Sequence, residues 1–322
     1  MASAAYLSAS ALRAELTARN RVWCEGRPHA ESYGSEPVIV YEPDGDSHGN
    51  FFDAAYAAIL SRPEWLRRFD KVHAQGRSIP KAESGRRWRE LDSSMSSDAL
   101  LMNVFCTPGV AESEAVRALL GVEGHAVPEF GWKARVPLAN GRFDRTEVDM
   151  RLGNVLAEAK LTETDFQTRA VSIVEGYRDF AEVFDAALLP RVELRETRRR
   201  AAVEFAEAFT QEWEPEGDEE TARAFQASLV AEARAREAFV EGFAGYQLIR
   251  NVLAAYATGA HFCVLLDARR PDLLEAWFNV MAAVRSSELR TRLKAVIWQE
   301  LAALAPPPLA DFLDCKYGIS GA

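Results

Sequence analysis

The stretch from Arg145 to Leu161 reads RTEVDMRLGNVLAEAKL, with polar and apolar residues alternating on both sides of Gly153-Asn154. Alternation with a period of two residues is typical of a half-buried strand. A Gly-Asn pair between two such runs is typical of a two-residue hairpin turn. The sequence therefore predicts a β-hairpin. Its cross-strand pairs are Leu152 with Val155, Asp149 with Glu158, and Glu147 with Lys160.

The two faces of this predicted hairpin differ in chemistry, because successive side chains on a strand point to opposite sides. One face is charged and carries Glu147, Asp149, Arg151, Glu158 and Lys160. The other face is apolar and carries Val148, Met150, Val155, Ala157, Ala159 and Leu161. We expect the apolar face to pack in the core and the charged face to form a compact polar cluster.

The predicted cluster places two carboxylates, Asp149 and Glu158, directly across from each other. Cross-strand partners lie about 5 Å apart, where two such charges repel by about 3 kcal/mol at an effective dielectric constant of about 20. Two arrangements relieve this repulsion. Arg151 and Lys160 can neutralise the acids by ion pairing, or a divalent cation can bind both carboxylates with the carbonyl oxygen of Ala159 as a third ligand.

Asp149, followed nine residues later by Glu158-Ala159-Lys160, resembles the signature of the PD-(D/E)XK nuclease superfamily. Val148 stands where the family name has proline. The resemblance implies that Asp149 and Glu158 hold Mg²⁺ or Mn²⁺ and that Lys160 is the catalytic lysine, which positions or activates the attacking water. The metal set expected here is Asp149, Glu158 and the Ala159 carbonyl.

The wider pattern also resembles this superfamily, whose core runs helix, strand, strand, strand, helix, strand. The sequence predicts that order between Ser96 and Leu266. The chain is similar to a bacterial group of restriction-endonuclease-like proteins over about residues 90–320. The segments that carry this similarity are Ser96–Leu100 with Asn103, Glu158–Glu163, Tyr246–Asn251 and Lys316–Gly318.

The fold expected from this resemblance is α/β, with a restriction-endonuclease-like core of mixed β-sheet flanked by helices. Residues 91–322 would form the nuclease-like domain. Residues 1–90 would be a helical N-terminal extension of unassigned role. Asp98 and Glu147 are additional candidate site residues, although Asp98 also suits the first turn of a helix and Glu147 an ion pair with Lys160 or Arg151.

A polar group on a later helix is a candidate nucleic-acid contact and consists of Gln247, Arg250 and Asn251. A hydrogen-bonded structural cluster is the alternative interpretation. The basic segment over residues 71–90 is open in the same way, because it suits either an arm that grips phosphates or a solvated loop.

Hydrophobic spacing predicts further elements. Phe166, Ala170, Ile173, Tyr177, Phe180 and Phe184 recur at intervals of three and four, which predicts a helix over Asp165–Phe184. A long helix is predicted over Glu219–Ala257. Predicted nearer the C-terminus are strands at His261–Leu266 and Lys294–Trp298 and helices at Leu273–Val284 and Leu309–Lys316.

Composition limits the classes of protein that fit. The chain has 322 residues and a net charge of −10, which argues against a simple nucleic-acid coat protein with a broad basic surface. No apolar run reaches the length of a membrane span and no signal peptide is evident, so we expect a cytoplasmic protein with no membrane partner. The four cysteines and five histidines show no zinc-site spacing.

The function predicted from these features is metal-dependent hydrolysis of phosphodiester bonds, with DNA as the expected partner. One alternative is a catalytically silent nucleic-acid-binding or regulatory protein on the same fold. A second is a largely helical interaction protein, which would have no mixed sheet under residues 126–161. The oligomeric state is left open, a homodimer being one alternative.

Overall fold

The secondary structure was obtained from a computed structural model, which describes residues 6–72, 79–82, 85–145, 147–195 and 239–321. The helices are α1 (Ala9–Trp23), α2 (Asp53–Ser61), α3 (Pro63–Phe69), α4 (Ser97–Phe105), α5 (Glu114–Leu120), α6 (Val171–Val174), α7 (Phe180–Val183), α8 (Tyr246–Thr258), α9 (Pro271–Ala282), α10 (Ser287–Thr291), α11 (Trp298–Ala303) and α12 (Pro307–Tyr317). The strands are β1 (His29–Glu31), β2 (Ile39–Tyr41), β3 (Pro43–Asp44), β4 (Ser47–His48), β5 (Glu129–Lys133), β6 (Val136–Pro137), β7 (Phe143–Asp144), β8 (Glu147–Leu152), β9 (Val155–Ala159), β10 (Thr168–Ala170), β11 (Arg191–Arg195), β12 (Phe239–Ala244), β13 (His261–Leu266) and β14 (Leu293–Ile297).

A five-stranded mixed sheet in the order β14-β13-β9-β8-β5 forms the centre of the molecule. β5, β8 and β9 are antiparallel neighbours, whereas β13 runs parallel to both β9 and β14. The chain passes through α8 between β9 and β13, as a parallel pair requires a crossover. This sheet contradicts the interpretation of the chain as a largely helical interaction protein.

The predicted hairpin is present as β8 and β9, and Leu152 pairs with Val155 as expected. Gly153 has a φ of +58°, which a side chain rarely allows and which a two-residue hairpin turn needs. The Asn154 side chain fixes the turn to a neighbouring loop, because its Oδ1 accepts the Glu123 N–H at 2.9 Å and its Nδ2 donates to the Gly121 carbonyl at 3.2 Å. Local sequence therefore sets the register next to the turn, but the predicted pairs Asp149 with Glu158 and Glu147 with Lys160 do not form, because pairing between β8 and β9 stops at Met150 with Ala157.

Apolar side chains cover both faces of the central sheet, so the sheet lies between two layers of core. One layer contains Met150, Val155, Ala157, Ala159 and Leu161, as the hairpin pattern predicted. Val148 is an exception, because it packs in the opposite layer with Leu156 and Ala134. Regular pairing between β8 and β9 stops at Met150 with Ala157, and the change of face at Val148 follows this interruption.

The N-terminal helices pack on the same core rather than forming a separate one. Leu12 and Leu16 of α1 are buried against residues of α12, including Leu309 and Leu313. A smaller cluster joins α2 and α3 to α4 through Tyr56, Phe69 and Met102, among other side chains. As a result, α3 lies beside β5 and α4 and can supply side chains to the charged hairpin.

One predicted helix is wrong, and a second is wrong over Phe239–Ala244 but confirmed from Tyr246 onward. The segment Asp165–Phe184 contains β10, α6 and α7, and Gln167 has a φ of +61° that a helix cannot contain. Within the predicted helix Glu219–Ala257, Phe239–Ala244 is instead the middle strand of the sheet β10-β12-β11, and α8 follows it. Residues 219–238 of that prediction lie outside the described residues.

The remaining predictions near the C-terminus are confirmed. β13, β14, α9 and α12 lie where the hydrophobic patterns placed them, to within two residues at each end. All four cysteines are free thiols. None of the helices in the described ranges combines the length and apolar character that crossing a membrane demands.

Candidate active site

The charged face of the hairpin forms a largely buried cluster in which three predicted residues meet. The Lys160 ammonium donates to Glu158 Oε1 at 2.9 Å, and both side chains are almost fully buried. The Asp149 carboxylate accepts the backbone N–H of Ala159 at 2.8 Å, and the Asp149 side chain is partly exposed. Asp149 therefore reaches across to β9 with its side chain, at the point where regular strand pairing ends.

This arrangement disfavours the charged form of Asp149. Burial raises the pKa of Asp149 well above its usual value, and the negative charges of Glu158 and Asp98 raise it further. Lys160 and the Ala159 N–H oppose the shift without cancelling it. The carboxylates of Glu158 and Asp98 thus lie close enough to Asp149 to repel its negative charge. The nearby positive charge is too small to compensate for this repulsion and for burial.

Lys160 is held in its charged form. Burial by itself lowers the pKa of Lys160, but Glu158, Glu163 and Asp149 outweigh burial and raise this pKa above its usual value. Lys160 is also anchored through its backbone, because its N–H donates to the Leu265 carbonyl and its carbonyl accepts Trp298 Nε1–H. The side chain is a fixed cation, not a base that gives up its proton near neutral pH.

Glu158 is held from the other side by α8. Asn251 Nδ2 donates to Glu158 Oε2 at 2.8 Å, and both groups are buried. Arg250 in turn donates to Asn251 Oδ1 at 3.3 Å and to the Glu147 carbonyl at 3.3 Å. Two of the three predicted nucleic-acid contacts, Arg250 and Asn251, therefore support the acidic cluster in this structure, and Gln247 lies half-buried on the preceding turn. Their contact with nucleic acid stays a prediction.

The opposite side of the cluster is built by α3, which the sequence did not connect to the hairpin. Arg68 forms an ion pair with Asp98, and its Nη1 lies 3.6 Å from Glu147 Oε1. The Lys71 ammonium lies 3.6 Å from the same Glu147 oxygen. Asp98 is in the first turn of α4, which Ser96 caps by accepting the Ala99 N–H, and it also lies close enough to Asp149 to raise its pKa. Its role as a site residue stays a prediction.

Two expected ion pairs are replaced by others. Arg151 does not neutralise the acidic pair, because its Nη1 lies 3.7 Å from Glu129 Oε1 and its guanidinium covers the Trp132 ring. Glu147 pairs with Arg68 and Lys71 instead of Lys160 or Arg151. Arg151 pairs with Glu129 because the two residues are directly opposite each other on β8 and β5. Glu147 is not opposite Lys160 because pairing between β8 and β9 stops at Met150 with Ala157.

The described part of the basic segment over residues 71–90 is held by ion pairs, hydrogen bonds and burial. Arg86 donates to Asp92 at 2.8 Å, Arg89 pairs with Asp70 at 2.9 Å, and Trp88 is buried. These pairings favour a structural role for Arg86 and Arg89. Arg77 lies outside the described residues, so the alternative in which this segment grips phosphates is not tested there.

One comparison identifies the family. A family model described as restriction endonuclease associating with ARP matches residues 19–318. The chain belongs to this family. No curated protein and no solved structure matches the chain. The matched region contains the whole charged cluster, including Arg68 of α3 as well as the hairpin and α8.

The donor set of this restriction-endonuclease family member fits a divalent cation. Among the described residues, no group of three or more His, Cys, Asp or Glu side chains is arranged to hold a metal. The expected set, however, has only two carboxylates, Asp149 and Glu158, and a backbone carbonyl. The N–H and C=O of a strand residue point to the same edge, so the Ala159 carbonyl faces the edge on which Asp149 lies. Oxygen donors with excess negative charge suit Mg²⁺ or Mn²⁺.

We expect Asn251→Ala to lower the free energy of unfolding by about 1–3 kcal/mol, because the buried Glu158 oxygen loses its donor. Urea denaturation monitored by circular dichroism measures the change. Gln247→Ala is the matched control on the same helix, since the Gln247 side chain has no hydrogen-bond partner within the described part of the chain. Its effect should stay within about 0.5 kcal/mol. Equal losses for the two variants would contradict the supporting role of Asn251.

Proposed function

We propose that this member of the restriction-endonuclease family is a nuclease of the PD-(D/E)XK type, which hydrolyses phosphodiester bonds in DNA with Mg²⁺ or Mn²⁺. The observation that carries the proposal is the meeting of Asp149 and Glu158 beside the fixed cation of Lys160. The family match supports it independently, because it covers all three residues. DNA is the proposed substrate because restriction endonucleases act on it.

Asp149, Glu158 and the Ala159 carbonyl would hold the metal ion. When bound, a divalent cation supplies Lewis-acid polarisation of the phosphate and lowers the pKa of water. The raised pKa of Asp149 supports this assignment, because it reflects, besides burial, the negative charges of Glu158 and Asp98 close to that carboxylate. Binding of the cation should therefore lower the pKa of Asp149.

Lys160 would stabilise the negative charge that grows on the phosphate as water attacks. In hydrolysis the water oxygen forms a bond to phosphorus, the ester P–O bond breaks, and the departing oxygen takes up a proton. A protonated lysine adjacent to this centre stabilises the additional charge of the transition state. Because the pKa of Lys160 is raised, an electrostatic role fits this side chain better than proton abstraction from water.

Asn251 and Arg250 would act as positioning residues. Asn251 fixes the orientation of Glu158, and Arg250 fixes Asn251 while also binding the β8 backbone at Glu147. Substituting a side chain that orients a metal-binding residue usually lowers metal affinity or activity substantially.

A catalytically silent binding or regulatory protein is the second candidate, and one observation favours it. Three cations, Arg68, Lys71 and Lys160, already pair with the acidic residues of the cluster. With four acids, Asp98, Glu147, Asp149 and Glu158, the net charge of these seven side chains is −1. A cluster so nearly neutral can persist without a metal.

Incubation of supercoiled plasmid with the full-length protein distinguishes the two candidates. We expect conversion to nicked and linear DNA in the presence of Mg²⁺ or Mn²⁺, and none in the presence of EDTA. Asp149→Asn keeps the side-chain shape and an acceptor for the Ala159 N–H but removes one metal ligand, so it should abolish cleavage. Unchanged plasmid with every divalent ion, from protein shown to be folded, would favour the silent protein.

A further inference from the structure

Two acids on one side of the cluster already bind a cation of the chain itself. The Arg68 guanidinium forms an ion pair with Asp98, and its Nη1 lies 3.6 Å from Glu147 Oε1. Carboxylates in this position are the groups that would hold a second metal ion next to the one proposed at Asp149 and Glu158. Arg68 thus binds the ligands that a second ion would need.

The packing of α3 fixes the position of Arg68. Trp65 and Phe69 of the same helix are buried, and Trp65 Nε1 donates to the Pro128 carbonyl, just before β5, at 2.8 Å. Only 8% of the Arg68 side chain is exposed, whereas the neighbouring Arg67 is exposed to solvent. The helix therefore places one of its two adjacent arginines in the cluster and leaves the other outside it.

Arg68 cannot release its two acids by losing a proton. Burial lowers the pKa of its guanidinium, but the negative charges of Asp98, Asp149 and Glu147 outweigh burial and raise this pKa. An arginine side chain stays protonated in proteins. Because Asp149 is among the groups that act on Arg68, the guanidinium charge also acts on the proposed metal ligand.

The acids of the cluster differ in how far their charge is already balanced. Lys71 lies 3.6 Å from Glu147 Oε1, so Glu147 has two cations close to it. Burial raises the pKa of Asp98, and Arg68 and Lys71 oppose that shift. Asp149, by contrast, forms no ion pair with any residue that the structure describes. A divalent cation is therefore favoured at Asp149, whereas cations of the chain already serve Asp98 and Glu147.

We infer that Arg68 takes the place of a second divalent cation, so that the site binds one metal ion, at Asp149 and Glu158, and has a guanidinium as its second positive charge. This inference rests on the proposed nuclease function and specifies its metal requirement. Two-metal sites stabilise the attacking and leaving oxygens with two ions, and a fixed guanidinium supplies the same kind of charge stabilisation. The N-terminal helices would then complete the site through α3.

Isothermal titration calorimetry with Mn²⁺ alone, in the absence of DNA, counts the ions that the full-length protein binds. We expect one ion for the wild type. Arg68→Gln frees Asp98 and Glu147 and keeps a polar side chain, so this variant should bind two ions. Arg67→Gln is the matched control, because Arg67 is exposed on the same helix and has no ion pair within the described ranges. It should bind one ion.

A double variant separates this role from a purely structural one. Removal of one partner of a buried ion pair is destabilising, so circular dichroism must show that Arg68→Gln is folded. Arg68→Gln combined with Asp98→Asn removes both charges of the pair and one ligand of the second ion, so it should again bind one ion. If Arg68→Gln does not fold, the wild-type count still decides. Two ions bound by the wild type, or one ion bound by folded Arg68→Gln, would overturn the inference.

Ion counts and plasmid cleavage together separate failure of the inference from failure of the proposed function. One ion in the wild type and two in Arg68→Gln, in a protein that cuts no DNA, would retain the role of Arg68 as a cation and refute the nuclease. A wild type that cuts DNA and binds two ions would retain the nuclease and refute the role of Arg68. A wild type that binds no Mn²⁺ would refute both.

Discussion

Lys160→Met is expected to reduce the rate of Mg²⁺-dependent DNA cleavage by about 10²-fold to 10³-fold, the usual cost of removing one preorganised group that stabilises transition-state charge. Methionine matches the length and apolar stem of lysine but carries no charge. The loss should appear in kcat more than in DNA affinity, because Lys160 is almost fully buried beside Glu158 and acts where charge develops. Single-turnover cleavage with excess enzyme measures the rate.

Lys294→Met is the matched control for this substitution. Lys294 is a half-buried lysine of β14. Its ammonium donates to the Leu119 carbonyl at 3.1 Å, away from the cluster. We expect cleavage by this variant at the wild-type rate. Since removing one partner of a buried ion pair costs about 3–5 kcal/mol, circular dichroism must show that Lys160→Met is folded. A folded Lys160→Met protein that cuts as fast as Lys294→Met would show that Lys160 has no catalytic role.

The core of the candidate site could be predicted because its determinants are local. The turn at Gly153-Asn154 and the alternation on either side lie within one short stretch, so the register of the hairpin next to the turn followed from neighbouring residues, whereas the interruption beyond Met150 did not. β13 was equally accessible, as a short apolar run that a parallel strand buries on both faces. In these segments local preference and tertiary packing favour the same conformation.

In the segment Asp165–Phe184 the spacing of hydrophobic residues predicts a helix that does not form. Phe166, Tyr177, Phe180 and Phe184 are buried, as a helical face would require, but Ile173 is exposed. The chain buries them through short pieces because Thr168–Ala170 pairs with β12, a strand far away in sequence. Spacing thus identified most of the core residues but not the backbone conformation that places them there.

Pairing with distant strands also explains why Phe239–Ala244 is a strand and not the predicted helix. The four-residue interval between Phe239 and Phe243 suits a helix, yet Phe239 is exposed and Phe243 is fully buried. Gly242 allows the close approach of the two flanking strands, since a Cβ there would lie 2.5 Å from Leu194 Cδ1 and 2.9 Å from the Arg169 carbonyl oxygen. Glycine within a strand pattern often indicates such a close approach.

Arg68 could not be predicted from any local pattern. It is separated from Asp98 by 30 residues and still further from Glu147, and it reaches both only because α3 packs against β5 and α4. One usable signal was present, because Arg67-Arg68 follows a tryptophan on a short amphipathic helix otherwise rich in apolar residues. A basic residue on the buried side of such a helix requires an acidic partner elsewhere in the chain.

Removal of the Asp149 charge should make the metal-free protein more stable. Because the pKa of Asp149 is raised by burial, Glu158 and Asp98, the folded protein binds more protons than the unfolded chain between the usual aspartate pKa of about 4 and the raised value. The free energy of unfolding of the wild type therefore falls as pH rises through this interval. In EDTA above the interval we expect Asp149→Asn to be more stable than wild type by about 1–2 kcal/mol, with the difference vanishing near pH 4.

Addition of Mg²⁺ should reverse the order of the two proteins. An ion that binds only the folded state at a hundredfold excess over its Kd stabilises the wild type by about 2.7 kcal/mol, and Asp149→Asn lacks one of the ligands. Urea denaturation at several pH values, with EDTA and with Mg²⁺, measures both effects. Stability of the wild type that does not respond to Mg²⁺ or Mn²⁺ would remove Asp149 from the proposed metal site.

Asp92→Asn is the control that tests whether the gain in stability is specific to Asp149 or general to buried aspartates. Burial raises the pKa of Asp92, but hydrogen bonds from His48 and Arg86 outweigh burial and lower this pKa. The Asp92 charge therefore contributes stability above the usual aspartate pKa, and this stability is lost as pH falls. We expect Asp92→Asn to destabilise the protein at neutral pH with or without Mg²⁺. We thus expect the same substitution to change stability in opposite directions at the two sites, because hydrogen-bond donors surround the carboxylate of Asp92 whereas other carboxylates lie near that of Asp149.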